Sequence, residues 1–268
     1  MDVKDLLQAG QLVAARQQLV EEIKARPTDL GKRTLLIQTL AYCGEWDKAL
    51  RHLEVLVSQD PAREVGSQGI KNLLLAEKQR QEVLQLQRRP DLIPESPPWL
   101  EAYFVAREKL TAGATAEAAE LLQALTDKVP AVAGVADGIP FKSLTDADSC
   151  LAFFLEAFVY ERYSWIPLSS LREVVIDPPK SFLDLIWIGA RLTTWDGLTM
   201  NCMLPVLYPG SSTHSDDRVR MGRMTDWKSL EEGIYQGFGQ HILLVDDNDK
   251  GILEIREILF NEPEVTTP

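Results

Sequence analysis

Gly44-Glu45-Trp46-Asp47-Lys48-Ala49-Leu50-Arg51-His52-Leu53, closed by Pro61, is the stretch whose reading decides the fold of this chain. A glycine opens it, where a turn between two helices needs a left-handed backbone that costs glycine little. Ala49, five residues on, is small enough to let the second helix lie close to the first. Pro61 then stops that helix at a fixed length. The same spacing recurs at Gly10, Ala15, Leu19 and Pro27, and again at Gly113, Ala118, Leu122 and Pro130.

The first copy precedes the second by 34 residues, and the third follows it by 69, about two further periods. A 34-residue period is that of tetratricopeptide helical hairpins, and Trp46 stands where such repeats carry a large aromatic. The preceding segments agree: Leu35, Leu36, Leu40 and Ala41 form a helical apolar stripe before Gly44, as do Trp99, Ala102, Tyr103, Ala106 and Leu110 before Gly113. Residues 62–89 keep a helical pattern without the repeat. Pro90, Pro94, Pro97 and Pro98 then predict an irregular connection over 90–98. Stacked hairpins present a surface that holds a peptide or helix. Thr34, Gln38, Tyr42, Tyr103 and Arg107 are the expected exposed positions on its inner face.

From about residue 131 the pattern changes. Val132, Val135 and Ile139, broken by Gly134, Gly138 and Pro140, predict a loop, and 146–163 ends in aromatic alternation. Strand-type runs follow at Arg172–Ile176, Leu185–Leu192, Leu198–Leu207, Val219–Met221, His241–Val245 and Ile252–Phe260, with Asp196-Gly197 a hairpin signal between two of them. The expectation is an α+β protein: tetratricopeptide-like hairpins over 1–130, then a small, mostly antiparallel, barrel-like α+β domain over 131–268.

Charge divides unevenly between these parts. Of the net −12, residues 1–130 carry 17 basic against 19 acidic residues, and 131–268 carry 11 against 21. An acidic second part repels phosphate backbones and anionic lipid, which argues against nucleic acid or a membrane surface as partner. No apolar run approaches the ~18–20 residues that span a bilayer. The acidic start, Met1-Asp2-Val3-Lys4-Asp5, is unlike a secretory signal. Cys43, Cys150 and Cys202 are dispersed, without metal-ligand spacing, as free thiols in a reducing compartment would be. A cytoplasmic location is expected.

No motif demands catalysis. Ser211, Ser212, His214 and Asp216 lie close together, but adjacency in sequence is not triad geometry. Asp246-Asp247-Asn248-Asp249-Lys250-Gly251 with Glu257 matches an EF-hand loop at four positions, yet Lys250 replaces an oxygen ligand. A polar hairpin turn is the better reading. No cofactor, metal or catalytic residue is expected.

More specific is Leu204-Pro205-Val206-Leu207-Tyr208-Pro209-Gly210-Ser211, followed by Arg220-Met221-Gly222-Arg223-Met224-Thr225-Asp226-Trp227 and Gly237-Phe238-Gly239-Gln240. Upstream stand Trp165-Ile166-Pro167-Leu168 and Asp184-Leu185-Ile186-Trp187. These tracts resemble the ImpE family, accessory proteins of bacterial type VI secretion. The resemblance implies a non-catalytic adaptor that binds a helix of the small contractile-sheath subunit (TssB-like). It also implies an influence on sheath recycling by the ClpV-type ATPase. Arg220 and Arg223 are the expected partner contacts, one of them pairing with Asp226. The rival expectations are an adaptor for another cytoplasmic client, and a hydrolase or calcium-responsive protein centred on 211–217 or 246–257.

Overall fold

The computed structural model describes residues 2–246 and 248–263. Asp247 and the last residues of the 131–268 segment lie outside that description.

The repeated spacing produces helices where it predicts them. They are α1 (Val3–Gln8), α2 (Leu12–Ala25), α3 (Leu30–Tyr42), α4 (Trp46–Gln59), α5 (Glu64–Leu84), α6 (Leu100–Thr111) and α7 (Thr115–Thr126). Gly44 turns between α3 and α4 at a φ of 67°. A Cβ there would also meet Ser212 Oγ at 2.5 Å, so left-handed geometry and close approach both require glycine. Ala15, Ala49 and Ala118 are completely buried, where each second helix lies against its neighbours. The non-repeating stretch is the long helix α5, and α1 starts at a capping box formed by Asp2 and Asp5.

The remaining regular structure is mostly strand: β1 (Asp91–Leu92), β2 (Gly134–Ala136), β3 (Ile139–Phe141), β4 (Leu144–Asp146), β5 (Phe154–Val159), β6 (Arg162–Pro167) and β7 (Leu171–Ile176) come first. After them come β8 (Trp187–Thr194), β9 (Thr199–Pro205), β10 (Asp226–Glu231), β11 (Ile234–Phe238), β12 (Ile242–Val245), β13 (Asn248–Gly251) and β14 (Glu257–Phe260). Nine of them form one sheet in the order β1-β6-β5-β9-β8-β7-β14-β2-β3. Every pairing in it is antiparallel except β1 with β6. The fold is α+β.

Several expectations are corrected. The sheet does not close into a barrel; β1 and β3 are its two ends. Residues 134–141, read as a loop, form the β2–β3 hairpin around Asp137 and Gly138. The supposed strand Val219–Met221 is instead the end and C-cap of a four-residue helix, α8 (Asp217–Arg220), which Asp216 caps by accepting from the Arg218 amide. Residues 252–256 are turn and coil, and only β14 continues as strand. The connection over 90–98 is irregular apart from β1, which reaches across to β6.

Of the described residues in 246–257, Asp246 follows β12, 248–251 are strand β13, 252–256 are turn and coil, and Glu257 begins β14. Asp246 sits at a φ of 52°, and its carboxylate accepts from the Lys142 and Ser143 amides at 2.8 and 2.9 Å. The Asp196-Gly197 hairpin joins β8 to β9 as expected. Apolar residues of helices and strands form one contiguous core, in which Tyr103 and Phe104 of α6 meet Trp165 of β6.

Candidate functional site

A buried polar cluster joins α5 to the strands. Arg80 and Glu77 lie on one face of α5, one helical turn apart, and both are buried. Arg80 Nε and Nη2 donate to the two oxygens of Glu156 on β5 at 2.8 and 2.5 Å, a bidentate fork, and Nη2 also donates to the Leu207 carbonyl. Trp187 Nε1 of β8 donates to Glu77 at 2.9 Å. Behind this pair lies His241, with Nδ1 2.8 Å from Asp146 and Nε2 3.0 Å from Glu156. Both ring nitrogens face carboxylates, an arrangement that the imidazolium satisfies. Tyr208 donates to Asp146 at 2.7 Å, Tyr163 to Glu156, and Trp165 Nε1 to the Tyr163 hydroxyl at 2.5 Å.

Two cations thus meet four carboxylates, counting Asp148, and the environment divides the protons among them. Burial works against charge on His241, but Asp146 and Glu156 overcome it and raise its pKa to about 9. Burial likewise opposes ionisation of Glu156, and Arg80 and His241 reverse that, holding it well below the usual carboxylate range. Glu77 is pushed upward by burial. Asp148 rises to about 7 through burial and the neighbouring Asp146 charge. Protons therefore settle on His241, Glu77 and Asp148 before Glu156. The cluster is fastened inward, and its chemistry is that of a clasp between helix and sheet.

Two hollows open in the fold, the second of which borders the cluster through Arg80 and Asp148. One, of about 290 Å³, is a crevice lined by Leu7, Gln8, Tyr42, Phe182, Arg223 and Leu253 among others. The other, of about 220 Å³, lies between the ends of α5 and α6 and the β10–β11 hairpin. Among the described residues no group of three or more His, Cys, Asp or Glu side chains is placed to hold a metal ion, and no helix is long and apolar enough to cross a membrane.

A family model described as "ImpE protein" matches residues 138–259. The type VI secretion system accessory component TagJ of Pseudomonas aeruginosa is 32% identical over 261 residues, covering 97% of this chain and 91% of TagJ. The chain belongs to the ImpE family. The crystal structure of protein VPA1032 from Vibrio parahaemolyticus has the same fold, with a TM-score of 0.90, 22% identity and 98% coverage of both chains.

The ImpE tracts lie largely inside the molecule. Trp165, Pro167, Trp187, Pro205 and Tyr208 are buried, whereas Arg223, Met224, Asp226 and Trp227 are exposed, the Trp227 ring lying against Tyr208. Asp184 is half-buried and accepts from the Lys180 and Ser181 amides. Pro209 and Gly210 turn the chain after β9, and Gly222 packs against Leu207. Gly237 lies so close to the Tyr208 ring that no Cβ fits between them. Ser211 is buried, donating to the Tyr208 carbonyl and accepting from the Gly239 amide.

The expected surface positions divide. Tyr42, Tyr103 and Arg107 are buried, not exposed, because strands and loops of the same chain cover that face of the helices. Tyr42 donates to the Phe182 carbonyl, and Tyr103 to the Cys150 carbonyl. Thr34 and Gln38 are half-exposed, and Thr34 bonds back to the Leu30 carbonyl. Neither arginine pairs with Asp226, whose partner is His214 at 3.2 Å. Arg220 pairs with Asp217 at 3.2 Å, and its buried Nε has no hydrogen-bond partner among the described residues. Arg223 donates to the Gln8 and Leu7 carbonyls at 2.6 and 2.7 Å, closing the end of α1. Tyr42 and Arg223, far apart in sequence, line the same crevice. The clasp of Arg80, Glu156, His241 and Asp146 is not legible in the sequence, since its members come from α5, β5, β4 and the residue before β12.

Proposed function

We propose that this chain is a non-catalytic accessory protein of type VI secretion that captures a helix of the small, TssB-like sheath subunit and so influences sheath disassembly by the ClpV-type ATPase. The observation that carries this reading is the kinship with TagJ over nearly the whole of both chains. The helices are read as tetratricopeptide-like, and their 34-residue period and buried packing alanines support that. A cytoplasmic location follows from the sheath partner.

The crevice lined by Tyr42 and Arg223 is the docking surface this reading favours. Its walls are mainly apolar, with Phe182, Leu185 and Leu253 half-buried, as a groove that takes the apolar stripe of an amphipathic helix must be. It is built partly from the ImpE tract itself, through Met221, Gly222 and Arg223. Thr34, Gln38 and Arg220 remain candidate contacts outside it.

The test is capture of purified small sheath subunit by the full-length chain, compared with Leu253→Glu and Leu185→Glu variants. Wild-type capture, lost in both variants at unchanged melting temperature, is the expected result. Absence of wild-type capture overturns the function, and undiminished capture by both variants overturns the crevice.

A further inference from the structure

The 220 Å³ hollow contains a cation that the protein leaves without a counter-charge. Arg107 on α6 is only 6% exposed. Its guanidinium donates to the Tyr103 hydroxyl at 3.2 Å and the Leu84 carbonyl at 3.3 Å, both neutral and both long. Among the described residues no carboxylate lies within ion-pair distance of it. Burying a guanidinium against neutral oxygens is costly, and proteins ordinarily meet that cost with a carboxylate. Arg80, which borders the same hollow, shows the contrast, since Glu156 satisfies it with a bidentate fork.

The rest of the lining defines what fits beside Arg107. Val83, Leu110, Leu151, Leu230 and Trp165 supply apolar wall, with Gln236 at the hairpin side. The volume is that of about seven waters at ~30 Å³ each, enough for one side-chain-sized body. Asp148 also borders the hollow, but both its oxygens already accept backbone amides, from Cys150 and Gly237. Burial further disfavours its charge, which lessens its repulsion of an anion.

We infer that this hollow is a binding site for a carboxylate carrying a compact apolar body, its carboxylate on Arg107 and its body among Val83, Leu110, Leu151 and Leu230. Such a group is supplied either by a free small acid or by the C-terminus of a chain ending in an apolar residue. No bond is made or broken; the ligand completes an ion pair and fills a void.

Titration calorimetry and ligand-observed NMR on the full chain test this with 4-methylpentanoate, its neutral methyl ester, and a hexapeptide ending in leucine as free acid or amide. Saturable binding of an acid form, at least tenfold stronger than of its neutral counterpart, is expected. Tighter binding of the free acid assigns the site to a small molecule, and tighter binding of the peptide acid to a chain terminus. Arg107→Gln is expected to abolish binding. Because that change touches a buried group, Leu230→Trp, which fills the hollow from the half-exposed hairpin, provides a second variant and should abolish binding at unchanged melting temperature. No saturable binding by wild type, equal binding of acid and neutral forms, or binding retained in folded Leu230→Trp overturns the proposal.

Discussion

Glu156 is the residue on which most of the buried clasp converges, since Arg80, His241 and Tyr163 all direct hydrogens at it. Glu156→Gln removes the charge while keeping the shape, leaving two buried cations short of an anion. A loss of about 3 kcal/mol is expected, measurable by urea denaturation, because breaking a buried pair from one side strands its partner. Gly44→Ala should lose more than about 2 kcal/mol, since the left-handed backbone alone costs ~1–2 and the Ser212 contact adds to it. Arg223→Ala removes two charged hydrogen bonds to the end of α1, and a melting-temperature decrease worth about 1–2 kcal/mol is expected. At this scale the role of Gly44 was legible, because turn geometry is local. The partnership of Arg80 and Glu156 was not, because a pairing across 76 residues leaves no periodic trace.

Among the elements, the helices were legible through their spacing, and Ala49 shows why: a completely buried alanine at a helix crossing admits nothing larger. Ala49→Leu should cost about 1–3 kcal/mol by overpacking, seen as a lower denaturation midpoint with an unchanged slope. Which face of each helix meets what was not legible. Periodicity identifies a stripe of apolar residues but not its partner, which is why it does not reveal that Tyr42, Tyr103 and Arg107 are buried. The β10–β11 hairpin was missed although Glu232-Gly233 is a turn signal between two strand-like runs, with Gly233 at a φ of 79°. The α8 helix was signalled by Asp216, a capping residue whose meaning the strand-like alternation Val219-Arg220-Met221 obscured.

For the whole molecule, the clasp makes stability depend on pH. His241 titrates near 9 in the folded chain against an ordinary 6.5, so its contribution is complete below 6.5 and is lost as pH rises through 9. Asp148, raised to about 7, acts in the same direction at lower pH, since the fold favours its protonated form. Unfolding free energy from urea titrations should therefore decline between pH 6.5 and 9, and His241→Gln should flatten that decline. A wild-type profile flat across this window would show that the imidazolium is not the bound form. Because the core runs without a break from helices to sheet, calorimetry of the full chain should show one transition.

The covered inner face of the helices bears on competition. Phe182, Phe154 and Trp165 occupy it from the same polypeptide, against Tyr42 and Tyr103. A tethered occupant is present at an effective concentration on the order of millimolar. A free peptide seeking that face meets a resident that never diffuses away and is never diluted. The helices therefore serve as their own chain's receptor, and that face is closed to an outside partner.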